Sequence, residues 1–167
     1  TPLSHLRRAS TVFSDRTAVI YGSHRKNYYE YYKRCSQLAS ALEKIGIKPG
    51  DVVATVLPNI PAQAEAHFGV PACGAVLNTI NTRLDLNTIT YIFEHGGAKL
   101  VFADTQFLSV VEDAIAKLEG PRPTLIEVPD EFAGFPATGK YETYESFLKT
   151  GNVHFDWIMP QDEWESL

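Results

Sequence analysis

Four short apolar runs, separated by stretches with helical spacing, constrain this chain more than any other feature. Residues 52–57 form a near-continuous apolar run of strand length, the pattern of a strand buried on both faces. Pro58 and Asn59 break it, and Pro61 stands where a helix start tolerates a missing N–H. The spacing predicts a helix over 61–73 ended by Gly74, and a second strand over 75–78. Asp85 is placed to cap a further helix that runs through Phe93 and stops at Gly96-Gly97. Residues 100–103 read as the third strand. Phe107, Val110, Val111, Ala114, Ile115 and Leu118 then form the cleanest amphipathic stripe, and 124–128 reads as the fourth strand. Strands alternating with helices in this way imply an α/β fold, a parallel sheet flanked by helices and joined by right-handed crossovers.

The segments on either side are less regular. Leu3, Leu6, Ala9 and Phe13 are spaced for a short amphipathic helix. Residues 17–21 read as a strand, Gly22-Ser23-His24 as a turn and 25–28 as the returning strand of a small N-terminal hairpin. A longer helix is expected over 29–45, with Tyr31, Cys35, Leu38, Ala39 and Leu42 on its inner face and Gly46 as its left-handed cap. Residues 129–139, rich in proline, glycine and small residues, read as a surface loop. Tyr144, Phe147 and Leu148 mark a short helix ending at Gly151. The expected division is therefore an α/β subdomain over 1–150 and an extended crossing segment over 151–167.

Composition narrows the function classes. A chain of 167 residues carries one domain with a sizeable core. Its net charge of -5 argues against a nucleic-acid face. The small basic clusters Arg7-Arg8 and His24-Arg25-Lys26 read as solvated surface, and Tyr28, Tyr29, Tyr31 and Tyr32 as half-buried rings at a hairpin-to-helix junction. No apolar run approaches the roughly 20 residues that span a bilayer, so no transmembrane segment is expected. Cys35 and Cys73, the only cysteines, lie in apolar helical patterns, where a free thiol packs as a small hydrophobe. A reducing, cytoplasmic setting fits them.

Motifs that carry chemistry are scarce. The chain contains no GxGxxG, no GxSxG and no HExxH, and Gly69 and Gly74 have the spacing of a phosphate loop but are followed by Ala75 rather than lysine. No catalytic, cofactor-binding or metal-ligating residue is assigned. The acidic pairs Asp130-Glu131 and Asp162-Glu163 lie in loop-like stretches and read as solvated charges. His67 reads either as lining a pocket or as part of a packed helix, the small residues around it favouring packing. Pro71 removes the N–H that would bond the His67 carbonyl. Asn59, Asn78, Asn81 and Arg83 flank strand ends, where open α/β sheets hold ligands. Turn chemistry accounts for the asparagines equally well.

One series of short motifs goes further as a set. Gly50-Asp51-Val52, Pro58-Asn59, Phe68-Gly69-Val70 with Gly74-Ala75-Val76, Asn81-Thr82-Arg83-Leu84, and Tyr91-Ile92-Phe93 leading to Gly97-Ala98-Lys99 follow one another across the middle of the chain. Together they resemble the block that precedes the phosphate loop in acyl-CoA synthetases of the adenylate-forming, AMP-binding superfamily. The opening 22 residues look like the branch acting on medium-chain, branched or aromatic acids, which includes methylmercaptopropionate-CoA ligases. The resemblance implies a parent ligase of fatty acid metabolism that uses ATP, magnesium and coenzyme A, forming an acyl-adenylate and then a thioester. It also implies that 151–167 leads toward a missing phosphate-loop region. This chain is then an inactive fragment whose partner is the remainder of the same enzyme, with self-association through uncovered surface expected in isolation. The competing reading is a non-catalytic α/β binding or scaffold module. A flavodoxin-like domain fits less well, because it needs a phosphate loop after its first strand.

Overall fold

The computed structural model describes residues 1–162 and 164–166. Its elements in chain order are α1 (Pro2–Val12), β1 (Thr17–Tyr21), β2 (His24–Asn27), α2 (Tyr28–Lys44), β3 (Val52–Val56), α3 (Pro61–Ala72), β4 (Val76–Thr79), α4 (Leu86–Gly96), β5 (Ala98–Asp104), α5 (Leu108–Ala116), β6 (Thr124–Val128) and α6 (Tyr144–Lys149). β1 and β2 pair antiparallel as a hairpin. The other four strands form one parallel sheet in the order β4-β3-β5-β6.

Side-chain alternation along the strands divides the core into two layers. Val53, Leu100, Phe102, Ile126 and Val128 point to the face covered by α1, α2, α3 and α6. Ala54, Val56, Val101 and Ala103 point to the face covered by α4 and α5. Handedness explains the split. The chain moves from β3 to β4 in one direction across the sheet, then back over β3 to β5 and on to β6. With every crossover right-handed, that reversal puts α3 on one face and α4 and α5 on the other.

Local chemistry sets the helix ends. Asn27 caps α2: its side chain accepts from Glu30 N at 2.8 Å, and the Glu30 carboxylate accepts from Asn27 N at 2.9 Å, a reciprocal capping box. The predicted inner face of α2 is buried in full, from Tyr31 through Leu42. Asp85 caps α4 through Asn87 N and Thr88 N, and Gly97 ends it at φ 60. Gly69 lets α3 lie against α2, since a Cβ there would stand 2.6 Å from Leu38 Cδ2.

Three expectations are adjusted. The second sheet strand begins at Val76, because Ala75 only links the Cys73-Gly74 turn to it. The stripe from Phe107 opens with a 3-10 turn over Thr105–Phe107, started by the Asp104 side chain accepting from Gln106 N. The acidic pair at 130–131 is not all solvated: Glu131 is exposed, but Asp130 is buried and accepts from the Tyr21 hydroxyl. Of the second pair, Asp162 is exposed and Glu163 lies outside the described residues.

The segment after Gly151 carries no helix or strand among its described residues, and it crosses α2 and the end of α3. Trp157 is buried in its own chain, where its indole N–H donates to Ser36 Oγ at 2.9 Å and its ring stacks on Tyr32 at 4.7 Å. Ile158 N donates to Ala72 O at 2.8 Å. Trp164, by contrast, is 87% exposed.

Candidate functional site

Chain direction reverses between β3 and β5, so the loops leaving their carboxyl ends part there and open a crevice, the usual ligand position in an open α/β sheet. One wall is the turn Leu57-Pro58-Asn59-Ile60 ahead of α3; the other is Asp104-Thr105 at the end of β5. Tyr21 of the hairpin and Asp130 of the following loop close the far side.

The carboxylates at this end of the sheet are held differently. Glu127 on β6 is buried and fully engaged: it accepts from Thr105 Oγ1 at 2.8 Å, Thr138 N at 2.7 Å and Thr138 Oγ1 at 2.9 Å. It thereby fastens the loop over 129–139 to the sheet. Asp130 accepts from Tyr21 and from Ala133 N at 3.2 Å, and that bond to Asp130 is the main reason the Tyr21 phenol is pushed up to about 12. Asp104 uses Oδ1 for Gln106 N, while its Oδ2 is buried with no hydrogen-bond partner among the described residues. Burial raises the Asp104 carboxyl above its ordinary range; the Gln106 N–H opposes this and the Asp130 charge adds to it.

Two cavities of about 590 and 550 Å³ open on either side of a wall made by Tyr21, Ile60 and Pro61. The larger lies between the hairpin and α3. Its lining is mainly apolar, with Asn59, Gln63 and His67 as polar points. The smaller reaches Lys26, Arg34, Tyr144 and Glu145. Behind it a buried ionic network joins three helices: Glu65 of α3 accepts from Arg34 Nε of α2 at 2.5 Å and from the Tyr144 hydroxyl of α6 at 2.9 Å, and Arg34 also grips Glu145. Burial pulls the Arg34 guanidinium down, but its bonds to Glu145 and Glu65 outweigh that and hold it above its ordinary value. Burial and the Glu65 charge hold the Tyr144 phenol well above its ordinary value.

The residues singled out in the sequence are not brought together as one group. Asn59 and His67 both line the larger cavity, so the pocket-lining reading of His67 holds alongside the packed-helix one. Asn81 serves turn chemistry, its Oδ1 accepting from Arg83 N at 3.0 Å, and Arg83 is exposed. Asn78 is half-buried on the edge strand β4. Tyr31 is buried rather than half-buried and donates to Ala64 O at 2.6 Å. Asp104, Glu65, Glu127 and Gln63 are not among those residues: Asp104 has a local signal in the turn it caps, whereas the other three are polar residues whose burial depends on distant elements. Among the described residues no group of three His, Cys, Asp or Glu side chains is placed to hold a metal ion.

The turn where a mononucleotide fold would seat phosphate is Leu57 to Pro61. Pro58 and Pro61 have no N–H to offer, and Ile60 N is spent on Pro58 O at 2.8 Å. Three of the five residues of this turn therefore offer no free N–H to a phosphate.

A model of the family described as AMP-binding enzyme matches residues 6–150. The chain is 41% identical to an acetate–CoA ligase of Humulus lupulus, covering all of this chain and 31% of that protein. It is 40% identical to a peroxisomal acetate/butyrate–CoA ligase of Arabidopsis thaliana, again over 100% of this chain and 31% of the relative. A benzoate CoA ligase from Burkholderia xenovorans shares the fold, with a TM-score of 0.76 and 21% identity over 90% of this chain and 28% of that one. The chain thus spans under a third of the length of the curated relatives it matches. With its parallel sheet, its hairpin and the whole motif series falling inside the matched residues, this chain belongs to the AMP-binding enzyme family.

Proposed function

We propose that this chain is part of an ATP-dependent acid–CoA ligase, which activates a carboxylic acid as its acyl-adenylate and passes the acyl group to coenzyme A. The observation that carries this reading is the identity of about two residues in five, across the whole chain, to ligases named for acetate and butyrate. We take the substrate to be a short aliphatic acid and the parent to act in fatty acid metabolism, a reading that those names support. Magnesium is the metal expected to accompany ATP. The free, buried Cys35 and Cys73 suit a reducing compartment, and we place the parent in the cytoplasm; one relative is named peroxisomal. No helix among the described residues is long and apolar enough to cross a membrane.

Within that parent, residues 1–150 form a scaffold subdomain and 151–167 leads toward the phosphate-loop region. The turn ahead of α3 offers phosphates two prolines and an engaged Ile60 N–H, which supports the reading that the 167-residue chain on its own is inactive. Pyrophosphate release from ATP with acetate, butyrate, hexanoate or benzoate tests this. The isolated chain is expected to match the blank. The source protein, captured with an antibody to this chain, is expected to have a mass well above that of 167 residues and acid-dependent release. Turnover by the isolated chain, or an acid-independent full-length protein, overturns the reading.

In isolation the chain is also expected to self-associate. β4 pairs only with β3, so its outer edge is open among the described residues, and an open edge invites pairing. Trp157 is already covered by its own chain, so that edge and exposed apolar residues such as Trp164, Ile20 and Phe132 supply the contact surface. Sedimentation velocity over a concentration series should show growing species; a monomer at every concentration removes the idea.

A further inference from the structure

The hairpin and the loop over 129–139 meet at the smaller cavity, and few groups make the contact. The Tyr21 hydroxyl donates to Asp130, and the Tyr21 ring meets Phe132 edge to face at 5.2 Å. Gly22 lets Phe132 lie close, since a Cβ there would stand 2.4 Å from the Phe132 ring. Asp130 also closes the loop on itself. It exchanges backbone bonds of 2.9 Å with Phe135 in both directions, and its Oδ1 accepts from Ala133 N at 3.2 Å. Tyr21, Asp130 and Phe132 line the cavity together with Lys26, Arg34 and Tyr144. Beside this contact stands a carboxyl that nothing compensates. Asp104 ends β5 level with Val128 of β6, two residues ahead of Asp130. It is 1% exposed, and its Oδ2 has no hydrogen-bond partner among the described residues. Both oxygens of a carboxylate only accept, so exchanging them supplies no partner. The titratable groups that act on it or feel it are Asp130 of the loop and Tyr21 of the hairpin, and no cation offsets its charge.

We propose that the contact between the hairpin and the 129–139 loop is a pH-sensitive latch at the smaller cavity, shut while Asp104 holds a proton and loosened when Asp104 ionises. A buried carboxylate without a cation is costly, and a second carboxylate close by adds repulsion. Asp104 itself is held in place, because it sits on a strand paired with β6 and caps the turn through Gln106 N. The loop is the part free to give way: Glu131 and Phe132 are exposed, and Asp130 is its tie to the hairpin. Its movement carries the Asp130 charge away from Asp104 and lets water reach the Asp104 carboxylate. Burial, with the Asp130 charge, already raises the Asp104 carboxyl in the shut form. The stability of the latch is therefore full on the acid side and is lost as pH rises through that raised value. An open latch exposes the cavity that Lys26, Arg34 and Tyr144 line. The device lies wholly within the described residues and does not depend on the ligase reading.

Hydrogen exchange of the 167-residue chain tests the latch, read by mass spectrometry at low protein concentration and corrected for the intrinsic rate at each pH. Between about pH 5 and about pH 8, above the ordinary carboxylate range, protection of the 129–139 segment and of the hairpin is expected to fall at least about tenfold. Protection of β3 and β5 should not change. Asp104→Asn keeps an oxygen for Gln106 N and removes the charge, so protection should stay high across the range. Tyr21→Phe removes the bond that shuts the latch, so protection of both segments should already be low at the acid end. A flat profile in the unsubstituted chain overturns the proposal. So does a fall that persists in Asp104→Asn, which would assign the pH dependence to another group such as the exposed His24.

Discussion

Glu65→Ala is expected to destabilise the chain by about 3 kcal/mol, the lower end of the cost of removing one partner of a buried ion pair, since the Arg34 side chain left behind is 20% exposed. Glu65 has no exposed surface and holds Arg34 Nε at 2.5 Å and the Tyr144 hydroxyl at 2.9 Å. Lys26 Nζ stands further off, at 3.9 Å. Alanine leaves the guanidinium with only Glu145, whose side chain is largely exposed, and strands the Tyr144 hydroxyl inside the core. Such a loss is a large share of the roughly 5–15 kcal/mol that keeps a domain folded. Equilibrium unfolding in urea measures it. Tyr144→Phe, which takes a donor from the buried Glu65 carboxylate, should cost about 1.5–3 kcal/mol. The double change Arg34→Met with Glu65→Leu should recover the part of the loss due to the unpaired guanidinium, because a matched apolar pair replaces the ions; the Tyr144 hydroxyl still loses Glu65. A loss below 1 kcal/mol for Glu65→Ala would mean that water reaches the guanidinium as readily as the carboxylate does.

This network marks the boundary of what the sequence discloses. The apolar runs announce the sheet because burial on both faces leaves few polar positions to interrupt them. α2 and α4 announce their starts through Asn27 with Glu30 and through Asp85, since capping is local chemistry. Strand order is fainter but present. β4 reads Val-Leu-Asn-Thr and is half-exposed at the sheet edge, whereas β3 is buried from Val53 through Val56 at the centre. Buried charges give no such signal. Asp130 has the neighbours of a surface loop and is drawn inward only because Tyr21, far away in sequence, donates to it. Glu65 is flanked by alanines on a helix, and nothing nearby announces Arg34 or Tyr144. Gln63 and His67 share a helix face by their spacing of four, but only the hairpin opposite turns that face into a cavity.

Gly151→Ala tests a second long-range contact that local reading takes for a helix stop. Gly151 does follow α6, its N–H donating to Leu148 O at 3.0 Å. Its greater constraint is the approach to α2. A Cβ at this position would stand 1.9 Å from Gln37 O, 2.8 Å from Gln37 C and 3.1 Å from Ala41 N. These are backbone atoms of a buried helix, so no side chain can turn aside to make room. α6 and the crossing segment must move off α2 together. Overpacking of this kind costs about 1–3 kcal/mol and occasionally more, and the upper end is expected here. The motion also pulls on Trp157, which depends on α2 through Ser36 and Tyr32. Trp164 is already exposed, so a red shift of tryptophan emission before global unfolding would report Trp157 alone. Gly120→Ala, where a Cβ meets nothing within 4 Å, should leave both stability and emission unchanged. If Gly151→Ala behaves like Gly120→Ala, the crossing segment is not clamped to α2 through Gly151, and its path is set by Trp157 and the Ile158 bond to Ala72.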